Sequence, residues 1–216
     1  MRIAVFGGTG ATGRLLISQA LDSGFSVTAY ARHPEKLGIE DNRLRVVKGE
    51  LSDCAAIDRA VEGSDAVISL LGPGRPLKGT PVALGTRAIL SSMDKFGVRR
   101  IVAIATASVR DPRDKPGLRT RFLVGMSKLL VRPAYNDVVA TAQAIRASDR
   151  DWTIIRPPFL SNGRRTGQVS AGYLGDGITG TYLSRANAAD FMLKQLRSDT
   201  YVRKAPVVAS AKLPSR

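Results

Sequence analysis

The sequence predicts an α/β fold built as a doubly wound parallel sheet, the Rossmann arrangement, on three observations. Short apolar runs alternate with stretches of helical periodicity along most of the chain. Two of those runs, Ala66-Val-Ile-Ser-Leu-Leu and Ile101-Val-Ala-Ile-Ala, lack strict apolar and polar alternation, as befits parallel strands covered on both faces. A glycine-rich turn, Gly7-Gly8-Thr9-Gly10-Ala11-Thr12-Gly13, stands between the first run and the first helical stretch.

In chain order, strands are predicted at Arg2–Phe6, Val27–Tyr30, Arg45–Val47, Ala66–Leu71, Ile101–Ala105 and Trp152–Arg156, with Ala66–Leu71 and Ile101–Ala105 in the interior of the sheet. Between them, apolar residues recur three or four apart: Leu16, Ala20 and Leu21; Ala56, Ile57, Ala60 and Val61; Ile89, Met93 and Phe96; Val138, Ala142 and Ile145. Gly24, Gly63 and Gly97 follow three of these helices, where a left-handed stop costs least. Right-handed crossovers between such units bring ligands to the carboxyl ends of the strands. After Arg156 the pattern changes to Pro157-Pro158, six glycines between Gly163 and Gly180, and one clear helix, Asn187–Leu196. We expect a single dinucleotide-binding domain, residues 1–216, in which residues 157–216 form a small substrate-side lobe.

Composition narrows the classes. A chain of 216 residues, 44% hydrophobic, can bury one substantial core. No apolar run approaches the roughly 18 residues of a membrane helix, and the opening Met-Arg-Ile-Ala-Val-Phe turns to glycine too soon for a secretory signal. The single cysteine, Cys54, cannot form an internal disulfide or a multi-cysteine zinc site. The expectation is a soluble cytoplasmic protein, without a metal, and monomeric, with a dimer left open. The formal charge of +15 attracts anions of any kind; nine Lys or Arg and two Asp lie between Arg99 and Arg132. No aromatic ladder or nucleic-acid motif accompanies that charge, so a solvated basic surface or an anionic small molecule is favoured over nucleic acid. Whether residues 110–132 form a lid stays open.

The glycine turn satisfies both G-x-G-x-x-G and G-x-x-G-x-x-G, follows a strand and opens a helix. A diphosphate needs backbone N–H donors at a helix N-terminus and no side chain in its way. An acidic residue about 20 positions on would hold the ribose diol of NAD. Here the second strand ends in Ala31-Arg32-His33-Pro34, and a guanidinium grips phosphate instead, so NADPH is favoured over NADH. Lys36 adds charge there, and His33, the only histidine, is read as a turn residue or else a helper at the same phosphate.

The glycine turn, Arg32, the Asp65-Ala-Val-Ile-Ser-Leu-Leu-Gly72 strand, the Val98-Arg-Arg-Ile-Val-Ala strand and Arg156-Pro-Pro158 together resemble the atypical short-chain dehydrogenase/reductases with an NAD(P)H-binding domain, nearest to the biliverdin-IXβ reductase and flavin reductase group. The similarity runs from Met1 to about Leu196. It implies cofactor contacts from Thr9, Thr12, Arg32, Leu71 and Gly72, a hydroxyl beside the nicotinamide at Thr106, and Pro157 and Pro158 flanking the ring. The candidate cofactor set thus comprises Gly7, Gly8, Thr9, Gly10, Ala11, Thr12, Gly13, Arg32, Lys36, Glu50, Leu51, Leu70, Leu71, Gly72, Pro157 and Pro158.

Two departures shape the chemistry. Phe159 and Val138 stand where that group carries histidines, and the residues four after each tyrosine are Pro34, Val139, Gly177, Ala186 and Ala205, so no Tyr-x-x-x-Lys dyad exists. An alkoxide-forming ketone reduction lacks its proton donor. A flavin or linear tetrapyrrole needs none, because the conjugated ring spreads the charge and takes its proton from water. The sequence therefore favours an NADPH-dependent reductase of a planar anionic acceptor such as FMN, riboflavin or biliverdin, the flavin a substrate rather than a held cofactor. Thr106 is the candidate catalytic hydroxyl, with Ser108 and Phe159 on the substrate side; Tyr135 and Asn136 are weaker site candidates, and Arg110, Arg113, Arg119, Arg164 and Arg165 are either anion contacts or solvated charges. A non-catalytic NADP(H) sensor similar to NmrA-like regulators is the alternative.

Overall fold

Strands β1 (Arg2–Phe6), β2 (Ser26–Ala31), β3 (Leu44–Lys48), β4 (Ala66–Ser69), β5 (Arg100–Ile104) and β6 (Asp151–Ile155) pair in parallel in the order β3-β2-β1-β4-β5-β6. This is a Rossmann fold, seen in a computed structural model that describes residues 1–72, 80–115, 117, 132–175 and 180–211. The chain moves outward from β1 to β3, then crosses back to β4 and continues to β6, so the winding reverses beside β1. All six predicted strands are present, their bounds shifted by at most two residues.

Side-chain alternation along β1 shows why the sheet is covered twice. Ile3 and Val5 enter a core with Leu16 and Ile17 of α1 (Ala11–Asp22), whereas Ala4 and Phe6 face Ile57 of α2 (Cys54–Val61) and Ile89 and Met93 of α3 (Pro81–Lys95). Ile145 of α4 (Arg132–Ala147) joins the second core. Helix α5 (Arg185–Gln195) packs beside α1, and its Phe191 and Met192 belong to the first. Ser184 caps α5 by accepting from the Asn187 N–H at 3.0 Å.

Four short strands are not evident in the sequence. β7 (Phe159–Ser161) pairs in parallel with β9 (Tyr182–Ser184), and β8 (Val169–Gly172) antiparallel with β10 (Val207–Ser210). Three or four residues set among glycines are too few for a period to register. Bridges from Thr153 to Lys204 and from Arg156 to Val207 extend the main sheet past β6. Among the described residues no helix is long and apolar enough to cross a membrane.

Helix α3 begins without a side-chain cap of its own at Thr80. Its first N–H groups are instead met by α4: the buried Asp137 carboxylate accepts from Val82 at 3.2 Å and Ala83 at 2.8 Å. A carboxylate at a helix N-terminus stabilises through both hydrogen bonding and the helix dipole. Asp137→Ala is therefore expected to lower stability by about 2 kcal/mol in urea unfolding, since it leaves two buried donors unmet.

Candidate active site

The candidate cofactor, catalytic and substrate residues lie at or just beyond the carboxyl ends of the sheet strands. In sheet order these are Glu50 and Leu51 after β3, Arg32 and Lys36 after β2, the glycine turn after β1, Leu70, Leu71 and Gly72 after β4, Thr106 and Ser108 after β5, and Pro157, Pro158 and Phe159 after β6. From β2 to β5 is three strand intervals, about 14 Å, the order of an extended dinucleotide's reach.

The glycine turn is held by close backbone approach. Gly7 has φ +84°, and a Cβ there would lie 2.8 Å from the Leu70 carbonyl carbon and oxygen, so the turn rests on the end of β4. A Cβ at Gly13 would run into the Gly7 oxygen and come within 2.7 Å of Gly8 Cα, which fixes the first turn of α1 against β1. The Gly10 N–H donates to Gly7 O at 3.2 Å and the Arg14 guanidinium to Thr9 O at 2.8 Å. Gly10 is the N-cap of α1 and brings no side chain, and the first turn holds no acid. The α1 N-terminus thus presents N–H donors and positive dipole with no competing anion of its own.

Beyond it, Arg32 and, in the following 3-10 turn, Lys36 are exposed, and neither side chain makes a hydrogen bond or ion pair among the described residues. His33 pairs with Glu35, Nδ1 to Oε1 3.2 Å, which agrees with a turn role and places the sole imidazole away from β5 and β6. The Tyr30 hydroxyl donates to Glu50 O at 2.6 Å, pinning the loop after β3. Burial first, then the charges of Asp53 and Glu50, push that phenol up to about 12, so it stays a donor. Leu51 packs on α3 where Gly85 leaves room, a Cβ there falling 2.8 Å from Leu51 Cβ.

At the other end, the Thr106 and Ser108 hydroxyls are 2.6 Å apart, with Thr106 exposed. The Ala107 N–H donates to Pro157 O at 3.3 Å, joining the loop after β5 to the Pro-Pro step. Pro157 is buried, Pro158 half-buried, and Phe159 is 62% exposed. Val138 is half-buried against the second core and offers no site chemistry. Tyr135 and Asn136 are the fourth and fifth residues of α4.

An ion pair around the fully buried Arg156 sets this end. Arg156, after β6, donates from Nη1 to Asp114 Oδ2 at 2.7 Å and from Nη2 to Oδ1 at 2.8 Å, while Nε reaches Ala205 O and Nη1 also reaches Val109 O, both at 2.6 Å. Asp114 in turn accepts from the backbone of Asp111 and Leu174. Asp111 receives Arg146 of α4 at 3.3 Å. The loop carrying Thr106 and Ser108 is thereby tied to β6, α4 and the end of β8. The Arg156-Pro-Pro158 motif marks Arg156 in the sequence but not this role, because its partner is 42 residues distant and ordinary in context.

Of the candidate anion contacts, Arg113 is occupied on the Tyr173 hydroxyl at 3.0 Å and Arg165 on Asp190 at 2.6 Å. Arg110 and Arg164 are exposed with no side-chain partner among the described residues. Arg119, and with it most of the basic segment read as a possible lid, lies outside the described residues.

The reversal of winding, the uncapped α1 N-terminus and the glycine cradle define a dinucleotide-binding Rossmann protein. The chain belongs to the NAD(P)H-binding family, whose sequence profile matches residues 7–199, which bears out the resemblance read from its motifs. It is 32% identical over 161 residues to the (4-alkanoyl-5-oxo-2,5-dihydrofuran-3-yl)methyl phosphate reductase of Streptomyces griseus; the match takes in 74% of this chain and 49% of that protein, so the chain spans about half that reductase's length. Among solved structures, the Veillonella parvula short-chain dehydrogenase/reductase in complex with NADP superposes with TM-score 0.79 at 16% identity, covering 97% of this chain and 94% of that one. The anaerobillin reductase ChuY of Escherichia coli O157:H7 superposes with TM-score 0.77 at 18% identity over 100% of both chains. At those identities the likeness is one of fold. The family match places the chain among NAD(P)H-binding proteins, and the curated relatives it matches carry the names of reductases and oxidoreductases.

Burial alone would raise the Asp114 carboxyl, but the hydrogen bonds and charge of Arg156 and the backbone donors outweigh it and hold it below the ordinary carboxylate value. A depressed native value contributes stability that is complete above the unfolded value of about 4 and is lost as pH falls through the native one. Asp114→Asn is expected to be less stable than wild type by about 3 kcal/mol near neutrality, because it strands a buried guanidinium. Denaturant unfolding repeated at lower pH should show the difference shrinking below about pH 4.

Proposed function

We propose that the protein is an NADPH-dependent reductase that passes hydride to a diffusible, conjugated, anionic acceptor of the flavin or linear tetrapyrrole kind. The observation that carries the reading is the pairing of an uncapped α1 N-terminus over a glycine cradle with an unpartnered guanidinium one strand away. Residues 7–13 take the diphosphate on backbone N–H groups, and Arg32, with Lys36 nearby, takes the phosphate on the adenosine ribose. Leu70, Leu71 and Gly72 line the passage past β4, and Glu50 and Leu51 close the adenine end. When bound, NADPH supplies the hydride, becoming NADP⁺, and one proton from water completes the two-electron reduction.

At the nicotinamide end this chain's residues position rather than titrate. Pro157 and Pro158 form a stiff wall, the Thr106 and Ser108 hydroxyls orient the ring or the acceptor, and Phe159 offers a flat face for stacking. With no imidazole and no Tyr-x-x-x-Lys dyad, an acceptor that stabilises its own charge suits the site. The name of the Streptomyces relative describes reduction of a phosphate ester on an unsaturated oxo-furan, which is also anionic and conjugated. The missing acid–base groups equally fit a sensor that binds NADP(H) without turnover, and activity separates the two.

Calorimetry should detect NADPH binding, with NADH weaker, and purified protein should oxidise NADPH in the presence of FMN, riboflavin or biliverdin. Arg32→Asp should erase a preference for NADPH of about tenfold or more. Binding without oxidation of any acceptor would support the sensor; no heat with either nucleotide would end both readings. Thr106→Val is expected to lower kcat by about tenfold while the NADPH Kd moves less than twofold, and equal losses in both would make the hydroxyl a simple cofactor contact.

A further inference from the structure

Two of the three most exposed large apolar side chains among the described residues touch each other. Phe159 is 62% exposed and Tyr182 60%, with ring centroids 5.8 Å apart at 41°. They face one another in the β7–β9 register, and Leu183, next in line, turns the other way into the core. Holding two aromatic faces in water is unfavourable unless something covers them. The pair begins two residues beyond Pro157, whose carbonyl is hydrogen-bonded to the loop bearing Thr106 and Ser108.

A charged rim is built beside it. Ser161 and Ser184 follow the aromatic pair on the same face of the two strands, and Gly163 folds back over them, its Cβ position 3.4 Å from Ser184 Cβ and 3.7 Å from Ser161 Oγ. The segment is fixed at nearly every step. Arg185 donates to Asn162 Oδ1 at 2.6 Å, Ser184 Oγ to Arg164 O at 3.1 Å, and Arg165 to Asp190 at 2.6 Å, while Asn187 Oδ1 accepts from the backbone of Thr166 and Gly167. Arg165 is neutralised within this frame; Arg164, whose main chain is held, keeps its guanidinium without a partner among the described residues.

From this juxtaposition we propose that Phe159 and Tyr182 form a stacking platform for the acceptor's ring and that Arg164 anchors its anionic substituent. The inference rests on the reading of the protein as a reductase of planar anionic acceptors and adds two residues to it, Tyr182 as a ring contact and Arg164 as the group that distinguishes a phosphorylated acceptor from a neutral one. A flat ring gains offset or edge contact with the tilted pair, and a phosphate gains a bidentate donor.

FMN and riboflavin share one ring and differ by the phosphate, so they separate the two roles. Titrating each with the full-length protein, with and without NADP⁺, reads binding through quenching of flavin fluorescence, and steady-state NADPH oxidation gives the KM for each. Wild type should bind FMN more tightly than riboflavin. Tyr182→Ala should weaken both by about fivefold and keep their ratio, and Arg164→Gln should weaken FMN by about fivefold while riboflavin moves less than twofold. The NADP⁺ Kd from calorimetry should be unchanged in both variants. Absence of quenching in wild type, or equal flavin affinity in wild type and Tyr182→Ala, overturns the platform; an unchanged FMN to riboflavin ratio in Arg164→Gln overturns the anchor. Quenching that follows these patterns in a protein giving no heat with NADP⁺ would sink the cofactor reading and leave the platform standing.

Discussion

The contact on which the site depends is the one between the first turn of α1 and the end of β1, where Gly13 meets the backbone of Gly7 and Gly8 with no Cβ between them. That approach aims the open N–H groups of the helix along the sheet edge instead of away from it. It also brings the turn against Leu70, so β1, β4 and α1 share one junction. Because the winding reverses there, loops on either side diverge and leave a crevice that backbone donors can serve from below.

Around that junction the loops are fixed by single buried polar groups rather than by apolar packing alone. Tyr30 holds the loop after β3, Asp137 holds the start of α3, and Arg156 with Asp114 holds the loop after β5. Each is a side chain satisfying backbone groups that would otherwise be stranded at the rim of the sheet. Their common effect is to fix the strand ends while the candidate site side chains Arg32, Thr106 and Phe159 stay exposed.

The frame was legible in the sequence because its signals are local. Ala66–Leu71 and Ile101–Ala105 announce buried strands through composition, and the glycine turn announces its ligand through spacing. Arg32 could be placed because the second strand ends where its apolar run ends. What could not be read was pairing across long separations. Nothing near Asp114 points to Arg156, Asp137 looks like an ordinary polar residue of a helix, and Tyr182 meets Phe159 only because β7 and β9 adjoin. Arg164 and Arg165 are neighbours of identical type, and only the position of Asp190 tells them apart.

The carboxylate of Asp114 serves two pieces of chain at once, accepting from Arg156 at the end of β6 and from the Leu174 backbone beyond β8. The hydroxyl-bearing loop after β5 and the segment near residue 174 are therefore one cassette in mechanical terms. Transplanting the loop after β5 alone into a related scaffold would part the Asp114 carboxylate from both the Arg156 guanidinium and the Leu174 N–H, and only a graft that moves all three together keeps these contacts intact.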